Sequence, residues 1–400
     1  MALMPQPFPF PDVDRRTAWL RIVLLGACLL GLLACRSLWS NARLYPLLPI
    51  APWFPILPPP WDTLRFVAML LALVVAGWFY RPSVTCFLIL VAQAYCEDQN
   101  RGQPWLYLYW MLLCFTLLPA PVSIAACRCA ISVAYIWSGI QKCNPRFFQI
   151  EPAWFVGPAA QWHLPAFAVD LMRRAVACTP VVELGIGLAL WISPLRLAAI
   201  VATIVVHVAA LLVLGPLGYN YNWVVWPWNV AMIGLVCVLF VQGKSTAAES
   251  GFMPALTQLR RSKLALAVVA LYTLLPALSF AGWWDSYFSF SLYADNTATA
   301  NIFVTQAFAD RLPPKMRAQV KPFGPPYDPQ FQGPCIFVHG IWCYEDLGVP
   351  PIPEPRAFRA MFNFLRSYSR EPGDLRMIVG QRAGPVIFYE GDTRQFLTPK

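Results

Sequence analysis

Three titratable side chains lie inside runs of otherwise apolar sequence. Lys142 ends the phrase YIWSGIQK that begins at Tyr135, Glu183 interrupts VVELGIGLAL (Val181 to Leu190), and His207 interrupts IVVHVAALL (Ile204 to Leu212). An ionisable group is costly in such a setting, so each is a candidate for function or for a structural pair. The chemistry open to them is acid–base. A lysine held out of water gives up its proton readily and becomes a neutral base near physiological pH, provided no carboxylate sits against it. Lys142 would be that base, with Glu183 and His207 positioning groups or relaying protons. The structural alternative pairs Glu183 with Lys142 or Arg128 and leaves His207 bonded to a backbone group. The two readings differ in one measurable quantity, the separation of Lys142 and Glu183. Tyr135 and, just beyond the His207 segment, Asn220 and Asn222 offer hydrogen-bonding groups to a substrate. Gly185 and Gly187 would let another helix approach the Glu183 segment closely.

The elements that must hold these residues follow from composition. Hydrophobic residues make up 58% of the 400 and charged residues 12%, against roughly 45–50% and 25% in soluble proteins. Residues 1–281 hold 27 of the 50 charged side chains, 18 of them basic, while residues 282–400 hold 12 basic and 11 acidic. A compact soluble enzyme, a disordered tail and a disulfide-rich miniprotein are thereby excluded. The net charge of +10 lies mostly among apolar segments, where it reads as membrane topology, and no basic run interleaved with aromatics suggests a nucleic-acid partner. A spanning helix needs about 20 apolar residues, and about nine segments qualify: 17–38, 62–80, 83–96, 104–119, 122–141, 176–193, 195–215, 223–241 and 264–281. The first reads as a retained helix rather than a cleaved signal.

The expected fold class is therefore an all-α multi-pass membrane helical bundle of about nine spans, followed by a small α+β extramembrane domain. Its divisions are a cytoplasmic segment 1–16, the bundle 17–281 and the polar domain 282–400. Lys and Arg near the segment ends favour a cytoplasmic N-terminus by nine to seven, and an odd span count then puts the polar domain in the periplasm, as in a bacterial inner membrane protein. Within that domain, Tyr287 to Thr305 suggests a β-hairpin around Asp295-Asn296. Cys335 to His339, Met377 to Val379 and Val386 to Tyr389 suggest strands, and Arg356 to Tyr368 an amphipathic helix. No C-x-x-C occurs among the 12 cysteines, so a redox or zinc motif is not indicated. Cys335 and Cys343, the two in the polar domain, could pair as a disulfide if it is exported. No metal site is expected.

Tyr135-x-x-Ser138-Gly139-x-x-Lys142, followed by Glu183 and His207, resembles the membrane core of vitamin K-dependent gamma-glutamyl carboxylase. The same core defines the horizontally transferred transmembrane (HTTM) domain proteins. DQNRGQPWLYLY (Asp98 to Tyr109) agrees with it, and the D-Q-x-R-x-Q-P-W phrase is similar to an uncharacterised bacterial branch. The resemblance spans roughly residues 15–300. It implies that Lys142 is a general base acting on a reduced quinone such as vitamin K hydroquinone, the one cofactor suggested. In the loop matching DQNRGQPW, Trp105 stands where the carboxylases have a histidine, and it becomes a candidate substrate contact. About 115 residues follow the last apolar segment, too few for the large luminal region of the carboxylases.

Two functions remain open on the sequence. One is an integral membrane enzyme, a carboxylase-like lyase or a quinol-dependent enzyme, acting on a lipid-soluble small molecule in the bilayer. The other is a non-catalytic scaffold or assembly factor whose exported domain binds a protein partner. A transporter is a weaker third option, since no paired broken helices occur in two matching halves.

Overall fold

A computed structural model describes residues 13–241, 251–322, 335–371, 373–380, 386–390 and 393–397. Each expected apolar segment contains a helix, because a continuous apolar run can bury its backbone groups only by bonding them internally. These are α1 (Val13–Ala34), α2 (Trp61–Val75), α3 (Tyr80–Glu97), α4 (Pro104–Thr116), α5 (Ala120–Lys142), α7 (Ala166–Ala189), α8 (Arg196–Leu214), α9 (Val225–Phe240) and α11 (Lys263–Leu274). Two helices lie between them, α6 (Pro145–Phe155) and α10 (Phe252–Leu259). Four helices among the described residues are long and apolar enough to cross a membrane: α1, α5, α8 and α11 with its 3-10 continuation to Ala281. The expectation of nine exceeds this count for physical reasons. Helices α4 and α9 have 13 and 16 residues, and α7 carries Asp170, Arg173 and Arg174 in its first half.

Helix ends are set by local chemistry. Pro104 opens α4 and Pro145 opens α6, where a missing N–H costs nothing. The Asn144 side-chain oxygen Oδ1 accepts the Phe147 N–H at 3.0 Å, and the Ser262 hydroxyl accepts the Ala265 N–H at 3.2 Å, capping α6 and α11. The bundle centres on α5, buried over 78% of its apolar window. Its small residues Ala125, Ala126, Ala130 and Ala134 let α1, α4, α7 and α11 pack around it. The outward faces of α2, α7 and α8 expose Leu71, Val74, Val181, Leu197 and Val205, an apolar surface of the kind that meets lipid.

Residues beyond 298 form a six-stranded antiparallel sheet of order β2-β3-β1-β4-β5-β6. The strands are β1 (Thr299–Val304), β2 (Val320–Pro322), β3 (Cys335–Phe337), β4 (Leu375–Gly380), β5 (Val386–Glu390) and β6 (Thr393–Leu397). Ile302 stands opposite both Phe337 and Met377, placing β1 between β3 and β4. Helices α12 (Gln306–Arg311), α13 (Pro314–Arg317), α14 (His339–Leu347) and α15 (Pro355–Arg366) complete this part. The amphipathic reading of 356–368 matches α15, whose Phe358, Met361, Phe362 and Leu365 are buried.

The hairpin expected over Tyr287 to Thr305 does not form. Residues 287–289 make a 3-10 turn, and β1 pairs with strands from elsewhere. Phe290, Tyr293 and Asp295 take left-handed backbone conformations, with φ of 58°, 49° and 47°. The chain coils there and buries Tyr287, Phe290 and Ala294 instead of running extended. Cys335 and Cys343 are free thiols: Cys343 donates to the Val349 carbonyl at 3.4 Å and Cys335 to Gln306 Oε1 at 3.6 Å, so the pairing considered above is not made.

Buried residues of the bundle and of the sheet form one continuous apolar cluster. The turn after α3 joins the two parts: Arg356 donates to Gln99 Oε1 at 2.6 Å, the Ile352 N–H to Asn100 Oδ1 at 3.3 Å, and Gln103 to the Pro350 carbonyl at 3.2 Å. The Asn222 N–H donates to the Tyr344 hydroxyl at 2.8 Å. Loops after α1, α3, α5 and α8 thus share one end of the bundle with the C-terminal part. At the opposite end, Arg16 and Arg128 donate to the last carbonyls of α9.

Candidate functional site

Helices α5 and α7 run against each other because two glycines remove the side chains that would separate them. A Cβ on Gly139 would lie 2.5 Å from the Pro180 carbonyl oxygen, and one on Gly187 would lie 2.7 Å from that of Ser132. Gly185 meets nothing within 4 Å, so of the pair expected to allow close approach only Gly187 does so. Pro180 cannot donate to the Val176 carbonyl four residues back, and the Thr179 hydroxyl takes that acceptor at 2.7 Å. The close approach brings Lys142, at the end of α5, against Glu183 on α7. Lys142 Nζ lies 2.7 Å from Glu183 Oε2 and 2.7 Å from Ser138 Oγ. Both side chains of the pair are nearly buried, at 8% and 12% exposure.

A second cluster stands beside the first. The Tyr135 hydroxyl is 2.6 Å from His207 Nε2, and His207 Nδ1 is 2.6 Å from Asn229 Oδ1. Asn229 Nδ2 donates to the Val225 carbonyl at 2.6 Å, which leaves its oxygen as the acceptor toward His207. The imidazole therefore carries its hydrogen on Nδ1, and Nε2 accepts from Tyr135. In this chain of bonds Tyr135 donates inward, and its oxygen can accept from a ligand.

Both clusters face one cavity of about 620 Å³, within the 300–1,000 Å³ typical of small-molecule sites. Its walls are otherwise apolar: Val176 and Val182 from α7, Val206 and Val213 from α8, and Trp228 and Met232 from α9. Phe147 and Phe155 of α6, with Phe290 and Tyr293 from the segment after α11, close its end beside Lys142. Cys178 of α7 and Val205 and Ala209 of α8 line it and are exposed, so its mouth lies on the α7–α8 side. Such a space suits a flat, largely apolar molecule bearing one or two hydroxyl groups.

Lys142, Glu183, His207 and Tyr135 are thus brought together, and the remaining candidates are not. Trp105 is 1% exposed, packs on Gly31 and on Tyr109 at a ring separation of 6.0 Å, and does not line the cavity. Asn220 and Asn222 belong to the turn after α8, with φ of 50° and 54°, a conformation asparagine tolerates well. Their type serves the turn, and neither reaches the cavity. The D-Q-x-R-x-Q-P-W phrase is structural. Asp98 pairs with Arg43 and accepts the Asn100 N–H, and Arg101 bonds Glu97, Asn41 and the Leu38 carbonyl. Asn229 escaped the sequence reading; the only signal was a lone amide in an apolar helix, which needs a partner. No group of three or more His, Cys, Asp or Glu able to hold a metal occurs among the described residues. Comparison with family models, with curated proteins and with solved structures finds nothing that matches this chain.

Proposed function

We propose that this protein is a multi-pass integral membrane enzyme that binds a lipid-soluble, hydroxyl-bearing molecule in the apolar cavity and moves a proton to or from it. The observation that carries the reading is one apolar cavity with two polar clusters on its wall, Lys142–Glu183–Ser138 and Tyr135–His207–Asn229. A ligand hydroxyl at Tyr135 donates to the phenol oxygen while the phenol hydrogen passes to His207 Nε2. Asn229 Oδ1, already accepting from Nδ1, holds the imidazolium that results, and Glu183 across the cavity offsets its charge. Lys142, as the ammonium partner of Glu183, steadies an oxyanion on the ligand. The volume and the two hydrogen-bonding clusters fit the ring of a reduced quinone; bound there, it would supply an acidic ring hydroxyl. The carboxylase-like resemblance supports the same residues, with Lys142 now an ion-pair partner in the resting state. The arrangement of helix ends favours a bacterial inner membrane topology with a cytoplasmic N-terminus and the sheet on the periplasmic side, which cysteine-accessibility labelling in whole cells tests.

A photoreactive menaquinone analogue tests the binding half in nanodiscs. Labelled peptides should contain Tyr135 to Lys142 or Ala202 to Ala210, and Val205→Trp, which fills the cavity, should abolish labelling. Label distributed evenly over the apolar surface, unchanged in that variant, would sink the reading. One observation favours the scaffold alternative, namely that Lys142 is closed onto Glu183. In that case the double variant Lys142→Met, Glu183→Leu keeps every cellular phenotype, and the C-terminal part co-purifies with a protein partner.

A further inference from the structure

A second cavity, of about 360 Å³, lies between α6, the segment 291–300 and the loop before α15. Leu292 and Tyr293 form part of the wall of both cavities. Nothing proposed above uses this space. Glu151 and Asp295 line it, and each has one carboxylate oxygen that is buried without a protein partner, Glu151 Oε2 and Asp295 Oδ2. Glu151 is only 9% exposed. Arg146 lies 3.9 Å from the other oxygen of Asp295. A buried acceptor without a donor costs on the order of 1–3 kcal/mol, more when charged, so the site is built for something that brings both donors and positive charge. Tyr221, Tyr293 and Phe358 supply aromatic surface in the same space, which adds cation–π attraction. A metal ion fits poorly, because among the described residues no group of three metal-ligating side chains closes a coordination set there.

We propose that this cavity binds a primary ammonium group, with Glu151 and Asp295 accepting its N–H hydrogens and the aromatic rings covering its carbon side. The charged neighbours fix how binding responds to pH. Burial and the Asp295 carboxylate hold the Glu151 proton up to about 7, against the opposing charge of Lys142. Arg146 faces Asp295 rather than Glu151. His339, on the same wall, is driven down to about 4 by burial and is neutral here, and burial raises Tyr221 to about 12. An ammonium ion binds the deprotonated Glu151, so it releases a proton near pH 7, and affinity should be about tenfold higher at pH 8 than at pH 6.

The test is calorimetric titration of ethylammonium chloride into the full chain in phosphatidylcholine nanodiscs, at constant ionic strength and in two buffers of different ionisation enthalpy. Expected are saturable binding, proton release near pH 7, the tenfold pH effect, and no binding of 1-propanol. Glu151→Gln should flatten the pH profile and weaken binding at pH 8 at least tenfold; Asp295→Asn should weaken binding and move the profile to lower pH, because it removes a charge that raises the Glu151 proton affinity. Equal binding of 1-propanol, or a wild-type profile flat from pH 6 to 8, overturns the proposal even if a variant fails to fold. Repeating the titration with phosphatidylethanolamine in the disc separates the sources: competition assigns the ammonium to a lipid headgroup, unchanged binding to a soluble amine, and either supports the site. No lipid-soluble substrate enters this assay, so its failure leaves the reading of the larger cavity standing.

Discussion

Replacing Gly139 with alanine probes the contact on which the candidate site depends. The added methyl would lie 2.5 Å from the Pro180 oxygen and 2.7 Å from the Leu184 nitrogen, whereas a carbon–oxygen contact is comfortable at about 3.3 Å. Both opposing atoms are backbone, so no side chain can rotate away, and α7 must move by about 0.8 Å. Overpacking of this kind costs about 1–3 kcal/mol. Alanine is also the better helix former by about 1 kcal/mol, which would mask part of the loss. Gly185→Ala supplies the control, because it gains the same propensity on the same helix pair and meets nothing within 4 Å. The difference between the two variants isolates the packing term, and Gly139→Ala should be less stable than Gly185→Ala by about 1–3 kcal/mol. Thermal unfolding in detergent, followed by circular dichroism, measures it. Equal stability of the two variants, or a more stable Gly139→Ala, would refute the claim that these helices touch through Gly139 and that this contact sets the 2.7 Å Lys142–Glu183 distance.

Glu183→Gln strands a nearly buried ammonium, so it should cost about 3–5 kcal/mol in the same assay, most of it recovered in Lys142→Met, Glu183→Leu, since well-packed apolar residues replace buried ion pairs at little cost. Asp374 would be raised by burial, but the Arg370 and Glu371 amides, Arg311 and Ser369 bring its carboxyl down to about 2 from 3.8. A depressed acid stabilises the fold above its unfolded pKa, so that contribution, about 1–2 kcal/mol after solvent screening, should fade as pH falls from about 4 to 2. Asp374→Asn should remove it at neutral pH, as the unfolding midpoint of the C-terminal part would report. Arg356→Ala removes bonds to Gln99 and to Asp285 and should speed limited proteolysis between the bundle and the sheet; unchanged cleavage would mean that this bridge does not hold them together.

The sequence made the rare charges visible because the apolar background is so uniform. Lys142, Glu183 and His207 stood out for that reason, and they do share a cavity. Which of the two readings of Lys142 holds was not legible, since it depends on the rotation of α5 against α7, which Gly139 and Gly187 decide through contacts with a helix about 40 residues away. Trp105 lies away from that cavity, since a motif gives a residue's place in the chain and not the side of the helix it occupies; it turns inward toward Gly31. Asn220 and Asn222 looked like ligands, yet their amide type answers a backbone need. The hairpin failed for a related reason: the β-forming residues Phe288 and Phe290 were drawn into the aromatic cluster with Tyr107 and Tyr272, where burial outweighs strand propensity. The 620 Å³ cavity was beyond reach altogether, being the space left between helices far apart in the chain.

The junction at the turn after α3 orders events in the life of the chain. Residues 350–356 dock on Gln99, Asn100 and Gln103, partners placed some 250 positions earlier, and that turn is itself held in shape by Arg43 and Asn41 from the loop after α1. A ribosome finishes these partners long before it makes the segment that reads them. The sheet can therefore seat only on helices that are already correctly paired, and loop-closure entropy makes a long-range docking step slow. Residues 350–356 thus act as an inspector of the helices made before them: a bundle whose turn after α3 is misformed offers no seat at Gln99, Asn100 and Gln103.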